Sequence, residues 1–199
     1  MIDLPDAVRR VLPIVEALPG VVEVQLCGSR FRGDAGLFSD WDFAVLTENF
    51  ETTAARLPAA IRAVDPLAAQ WDRLSSTACF MLIVPGPQKV DLIFEGVAHT
   101  PEPPWILTAA TLPEVDAHFW DWTLWLVSKL DAGRHNVVES ELNKMHEYLL
   151  EPLGVGHPAS LAQAVTAYVD TLPQWESQLA VTVDRSLQNA VAPVVHHLE

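Results

Sequence analysis

The sequence predicts an α+β protein, in which an N-terminal half with a mixed β-sheet flanked by helices precedes an all-helical C-terminal half. Short runs rich in Val, Leu and Phe, separated by turn residues, are confined to about the first 100 positions of the 199-residue chain. Beyond the proline-rich segment HTPEPPW at 99–105, apolar residues recur instead at helical spacing. We therefore expect a linker there, with one domain at 1–104 and a helical domain at 105–199.

The first half is expected to begin with a helix and to continue mainly with strands. Residues 3–18 have apolar side chains at helical spacing, with Asp3 as the N-cap and a kink at Pro13. The Pro85-Gly86-Pro87 triplet predicts a turn between two strands. Composition and patterning predict the remaining elements, which are strands at 21–27, 41–47, 67–74, 77–84 and 88–95 and a helix at 51–64.

The second half has the pattern of a helical bundle. Four helices are predicted, at 113–131, 136–151, 160–171 and 174–191. The final VVHHLE, at 194–199, resembles in part the remnant of a purification tag, so we base no functional inference on it. A bundle appended to an α+β domain predicts two structural units in one chain.

The charge balance limits the classes of partner. The chain has 12 Lys and Arg and 26 Asp and Glu, which gives a formal net charge of −14. Such a surface repels polyanions and so disfavours a nucleic-acid substrate, whereas it would attract a cationic small molecule or a divalent metal. We find neither an apolar run of the roughly 18 residues that a membrane span needs nor a signal peptide. We therefore expect a cytoplasmic protein that does not enter the membrane.

Three aspartates lie in or beside apolar strand segments. Asp40 and Asp42 are two residues apart, so they project from the same face of a strand, and Asp91 lies inside a later strand. If these strands are neighbours, three carboxylates converge and need a counter-ion, for which magnesium with oxygen ligands is the natural candidate. Two such ions can clamp the attacking and leaving oxygens of a phosphoryl or nucleotidyl transfer. The sequence thus predicts a metal site at Asp40, Asp42 and Asp91.

A glycine and a serine directly follow the first predicted strand. Gly28 would let the backbone approach a phosphate closely, and the Ser29 hydroxyl would add a hydrogen bond. Arg30 stands next to them, although it would equally fit a solvated surface. We therefore expect Gly28, Ser29 and Arg30 to bind the phosphates of a cofactor or donor.

The segment GSRFRGDAGLFSDWDFAVL, at 28–46, resembles the signature of the DNA polymerase β-type nucleotidyltransferase superfamily. That signature is Gly-Ser, a short helix with Arg-Gly, and Ser-Asp-x-Asp followed by apolar residues. Asp40 lies twelve positions after Gly28, as in the minimal and the antibiotic-modifying branches, and Asp91 in KVDLIF matches the third carboxylate. The resemblance covers about 21–95, and the helical half is similar in kind to the bundle of antibiotic nucleotidyltransferases.

The resemblance implies a reaction. A nucleoside triphosphate, expected to be ATP, would bind with Mg²⁺, a substrate hydroxyl would attack its α-phosphorus, and pyrophosphate would leave. Asp40 and Asp42 would hold both metal ions, whereas Asp91 would bind one and help to activate the hydroxyl. The Gly28-Ser29 pair would hold the β- and γ-phosphates.

The resemblance also implies a general base on the helical half, because antibiotic-modifying relatives have one there. Glu139 is our first choice and Glu141 our second, while a solvated helix face remains open for each. The expected acceptor is a small molecule, with cationic compounds such as aminoglycoside-like antibiotics as the leading class, which would make the protein an antibiotic-resistance enzyme. Adenylylation of a protein partner, as in toxin–antitoxin pairs, and a non-catalytic nucleotide-binding module remain alternatives. A homodimer is also possible.

Overall fold

The computed structural model describes residues 3–102 and 105–196, and these divide into two compact units. The first comprises the described part of Met1–Ala35 together with Ser39–Glu102, and the second comprises Gly36–Phe38 with the described part of Pro103–Glu199. Two prolines of the expected linker, at 103 and 104, and the last three residues of the VVHHLE tail lie outside the described residues.

A five-stranded mixed sheet forms the centre of the first unit. Its strands are β1 (Val21–Leu26), β2 (Trp41–Thr47), β3 (Ala68–Trp71), β4 (Thr77–Val84) and β5 (Gln88–Ala98). Their order across the sheet is β1-β2-β5-β4-β3, in which β2 and β5 run parallel and all other neighbours are antiparallel. The predicted α+β class with a mixed sheet is confirmed.

The helices of the first unit are shorter than the sequence pattern predicts. They are α1 (Asp6–Arg9), α2 (Val11–Glu16), α3 (Gly28–Arg32) and α4 (Phe50–Ile61), the last followed by a 3₁₀ turn at Arg62–Val64. The prediction of one helix over 3–18 is wrong, because Pro13 lacks an N–H and its ring crowds the carbonyl four residues earlier. The predicted N-cap is also wrong: Pro5 precedes the first helix, and Asp3 instead accepts a hydrogen bond from Arg9 at 3.2 Å.

The two faces of the sheet differ in character. On one face, alternate residues of β2 and β5 are buried in the hydrophobic core with side chains of α1, α2 and α4. Phe43 and Leu92, which pair in register across the parallel strands, are almost fully buried there. Because successive side chains point to opposite faces, Asp42 and Asp91 project from the other face.

All regular secondary structure in the described part of the second unit is helical, as predicted. The helices are α5 (Leu112–Asp131), α6 (His135–Met145, continued by a π-helical turn at His146–Leu150), α7 (Leu161–Leu179) and α8 (Ser186–His196). None of the helices described in the chain is both long enough and apolar enough to cross a membrane.

The predicted break between 171 and 174 is wrong, because α7 continues through Pro173 to Leu179. Pro173 is exposed, while Leu172 beside it is buried, so packing outweighs the loss of one hydrogen bond. The helix ends where Ala180 adopts a left-handed conformation (φ 50°).

A buried carboxylate joins α5 to α7. Asp116 accepts a 2.7 Å hydrogen bond from the Tyr168 hydroxyl and a 3.1 Å bond from the Trp120 indole N–H. The ring of Phe119 stacks on Tyr168, with 3.8 Å between centroids. Burial raises the pKa of Asp116 from 3.8 to about 6, although both hydrogen bonds lower it. The contact therefore joins α5 to α7, although burial of the Asp116 carboxyl group away from water costs free energy.

Candidate metal centre

The parallel pairing of β2 and β5 brings the three predicted aspartates together. Asp42 and Asp91 are direct partners in the register, and Asp40 immediately precedes β2. One carboxylate oxygen from each of the three lies within 4.8 Å of the other two. Asp40 is 8% exposed and the other two are half-buried. Three anionic groups this close repel one another unless cations compensate, so the cluster has the charge of a cation site.

The chain between β1 and α3 lies directly against this cluster. The backbone N–H of Cys27 donates to the carbonyl oxygen of Asp42 at 2.8 Å. Gly28 has φ +65°, and a β-carbon there would lie 1.9 Å from Oδ2 of Asp42. Any side chain at this position would collide with the carboxylate, so the glycine is required by both its conformation and its surroundings.

Ser29 follows in α3 and is half-buried, and its carbonyl oxygen accepts a 3.1 Å hydrogen bond from the backbone of Asp34. Gly28 and Ser29, the predicted phosphate contacts, therefore adjoin the carboxylate of Asp42. Their role toward a ligand stays a prediction.

Arg30 holds the turn that leads into β2. Its Nε donates to the carbonyl oxygens of Ser39 and Asp40, at 3.0 and 3.1 Å. The guanidinium also lies over the ring of Trp41, 3.9 Å from its centroid. Burial lowers the pKa of Arg30, while the nearby Asp40 and Asp42 raise it. These contacts give Arg30 a local structural function, and its predicted contact with a cofactor remains a prediction.

A lysine that sequence reasoning missed lies in the same cluster. The Nζ of Lys89 is 2.5 Å from Oδ1 of Asp91. The two residues are two positions apart on β5 and so project from one face of the sheet. The sequence KVD contains this signal, because the alternation that pairs Asp40 with Asp42 equally pairs Lys89 with Asp91.

The thiol beside the cluster is poorly suited to nucleophilic chemistry. Burial raises the pKa of Cys27, and the negative charge of Asp42 raises it further. Cys27 therefore stays protonated at neutral pH and is not a nucleophile there.

Glu139, the predicted base, belongs to the second unit. It is exposed on α6 and lines a cavity of about 620 Å³, with an apolar wall that includes Val138 and Leu142. Glu141, the second choice, forms an ion pair with Lys144, with 2.6 Å between Oε1 and Nζ. Of the two, Glu139 lines the cavity, and its role as a base stays a prediction.

Comparison with known proteins agrees with the chemistry of the cluster. Residues 8–102 match a family model described as a nucleotidyltransferase domain, a range that includes Gly28, Ser29 and all three aspartates. Among solved structures, an aminoglycoside 6-adenyltransferase from Bacillus subtilis is similar over 98% of both chains, at 9% identity and a TM-score of 0.33. That likeness is too weak to show a shared activity. No curated protein matches the sequence significantly.

Proposed function

We propose, because residues 8–102 match the family model of a nucleotidyltransferase domain, that the protein is a magnesium-dependent enzyme that transfers AMP from ATP to a hydroxyl of a small molecule. The observation that carries the proposal is the convergence of Asp40, Asp42 and Asp91 beside the backbone of Gly28. A transferase of this class needs anionic oxygen ligands next to a surface that a triphosphate can approach, and the cluster combines both.

The donor set suits magnesium. Asp40, Asp42 and Asp91 offer hard, negatively charged oxygen ligands within 4.8 Å of one another, which is the ligand type that Mg²⁺ prefers. The nearby Cys27, whose thiol would favour softer metals, has a raised pKa and stays protonated. When bound by these carboxylates, Mg²⁺ would supply charge neutralisation for the phosphates and Lewis-acid activation of the reacting oxygens.

Groups of the chain would position the donor and move the proton. Because Gly28 has no side chain, its backbone lies directly against the carboxylate of Asp42, and the hydroxyl of the next residue, Ser29, can donate to a phosphate oxygen. The acceptor oxygen forms a bond to the α-phosphorus while the bond from that phosphorus to the bridging oxygen breaks, and pyrophosphate leaves with the electron pair. The hydroxyl proton goes to a carboxylate, for which we propose Asp91, and the expected role of Glu139 on α6 as a base stays a prediction.

The acceptor class follows from charge. The net charge of −14 favours a cationic acceptor and disfavours a polyanion, which supports an aminoglycoside-like antibiotic over a nucleic acid. Adenylylation of such a compound would block a group on which its action depends, and the protein would then confer resistance. A homodimer stays a prediction, which sedimentation of the full chain would test.

The first test replaces one ligand of the proposed metal site. Asp42→Asn keeps the shape of the side chain but removes its charge, so we expect the rate of AMP transfer to fall at least about 100-fold while thermal unfolding stays cooperative. The measurement is the release of pyrophosphate and of a labelled product from α-labelled ATP, Mg²⁺ and a panel of aminoglycosides.

Asp65→Asn is the matched control, because Asp65 is an exposed residue of the same unit whose left-handed conformation (φ 50°) asparagine tolerates. We expect it to keep wild-type activity. A labelled small product supports the proposal. A labelled protein band in a lysate would instead indicate a protein acceptor, and nucleotide binding without turnover would indicate a non-catalytic module. Full activity of Asp42→Asn would show that the site is assigned wrongly.

A further inference from the structure

Lys89 is buried among the carboxylates of the proposed metal site. Its side chain is 6% exposed, that of Asp91 is 15% exposed, and the ammonium nitrogen lies 2.5 Å from Oδ1 of Asp91. Lysine is rarely buried to this extent unless it is paired with an opposite charge. The ion pair with Asp91 therefore holds the buried lysine in β5. It introduces one positive charge into a group of three negative ones.

The ammonium and a metal ion would compete for the same carboxylate. Asp91 is one of three residues whose oxygens converge, and one of its oxygens is already held by Lys89. A divalent ion at Asp91 would meet both the occupied oxygen and the electrostatic repulsion of a neighbouring cation, in a half-buried site where screening is weak. A triphosphate brought with the metal would add negative charge that relieves this repulsion.

We infer that Lys89 is a resident cation that occupies Asp91 in the metal-free protein and makes metal loading there depend on the nucleotide. This inference rests on the proposed function. In the absence of nucleotide, the lysine stabilises the clustered carboxylates and keeps their affinity for a lone metal ion low. When the triphosphate binds, its negative charge reduces the repulsion between the Lys89 ammonium and the metal ion, and the metal binds. Lys89 is accordingly a positioning residue, whose effect is a coupling between two ligands.

The test measures metal affinity rather than turnover. Mn²⁺ is titrated into the full chain, with and without an ATP analogue that has a methylene bridge between the α- and β-phosphorus, and free Mn²⁺ is followed by electron paramagnetic resonance. Without nucleotide, Lys89→Met should bind Mn²⁺ about tenfold more tightly than the wild type. The analogue should tighten Mn²⁺ binding strongly in the wild type and much less in the variant.

Two further variants separate charge from packing. Lys89→Arg keeps the positive charge and should retain the low affinity and the strong dependence on nucleotide. Lys144→Met removes the same charge from the pair with Glu141 on α6, so it controls for the change in net charge and should match the wild type. If Lys89→Met does not fold, Lys89→Gln serves in its place, and cooperative unfolding in EDTA confirms that either is intact.

The outcomes distinguish this inference from the function on which it rests. Equal Mn²⁺ affinity in the wild type and the folded neutral variant, or weaker binding in the variant, would overturn the role of Lys89 and leave the metal site standing. Absence of Mn²⁺ binding in every variant, with or without the analogue, would overturn both. Tighter binding in the neutral variant, reversed by Lys89→Arg, supports the inference.

Discussion

Gly28 has no side chain, and the carboxylate of Asp42 lies where its β-carbon would be. The position also requires a left-handed backbone, with φ +65°. These two constraints have different consequences, because the first concerns the geometry of the candidate site and the second concerns the stability of the fold. A comparison of two glycines in the same segment separates them.

Gly28→Ala should abolish activity, and Gly33→Ala should not. Both residues have positive φ, so each alanine should lower the free energy of unfolding by about 1–2 kcal/mol. At Gly33 a β-carbon meets nothing within 4 Å, whereas at Gly28 it would lie 1.9 Å from Oδ2 of Asp42. Displacement of that carboxylate should reduce the rate of AMP transfer at least about 100-fold.

Chemical denaturation and the labelled-ATP assay give the two quantities. If Gly28→Ala and Gly33→Ala lose the same stability and both keep their activity, the close approach to Asp42 has no functional importance.

At the scale of elements, the pairing of β2 with β5 builds the candidate site. Strand alternation predicted that Asp40 and Asp42 share a face, whereas Asp91 was added on the condition that its strand is a neighbour and by its match to the motif. Sequence reasoning did not identify Lys89, because a lysine in a strand usually lies on a solvated face, and its burial depends on contacts between strands. Nor does alternation indicate that Arg30 would donate to backbone carbonyls.

The errors in the predicted helices concern two prolines and the packing around them. Pro13 was expected to kink the first helix, and the third helix of the second half was expected to end at residue 171. In the structure Pro13 leaves two short helices, while α7 continues past Pro173, which is exposed beside the buried Leu172. Local sequence gives the cost of a proline but not the packing that offsets it.

The contact between α5 and α7 should make stability depend on pH. The folded-state pKa of Asp116 is about 6, above its ordinary value of 3.8, so the folded protein binds the proton more tightly than the unfolded chain. The stability that the folded protein gains by holding the proton on Asp116 is therefore fully present below about pH 4. It is lost as the pH rises through about 6. The difference in pKa corresponds to about 3 kcal/mol.

Asp116→Asn removes this titration, and its amide oxygen can still accept from Tyr168 and Trp120. The free energy of unfolding of the variant, relative to wild type, should therefore rise by about 3 kcal/mol between about pH 4 and pH 7. Denaturant unfolding across this range measures it. Asp170→Asn, at an exposed position on α7, is the control for the loss of one negative charge. A difference for Asp116→Asn that does not change with pH would contradict the assignment.

At the scale of the whole molecule, the net charge of −14 should influence how substrates are captured. Salt screens the attraction between this charge and a cationic acceptor, so the KM of an aminoglycoside acceptor should rise about threefold or more between 50 and 300 mM salt. The KM of Mg-ATP, which is itself anionic, should stay level or fall over the same range. Steady-state kinetics with each substrate varied in turn provides the measurement, and an acceptor KM independent of salt would contradict it.

The strand β4 has a consequence for how the chain is made. Its residues from Ala78 to Val84 are all buried, and it lies between β3, which precedes it, and β5, which follows it. Until residues 88–98 have left the ribosome and paired with it as β5, this apolar run has a partner on one edge only and is prone to aggregate with other nascent chains. Pro85 and Pro87, directly after it, act as gatekeepers, because proline cannot extend an intermolecular ladder of hydrogen bonds.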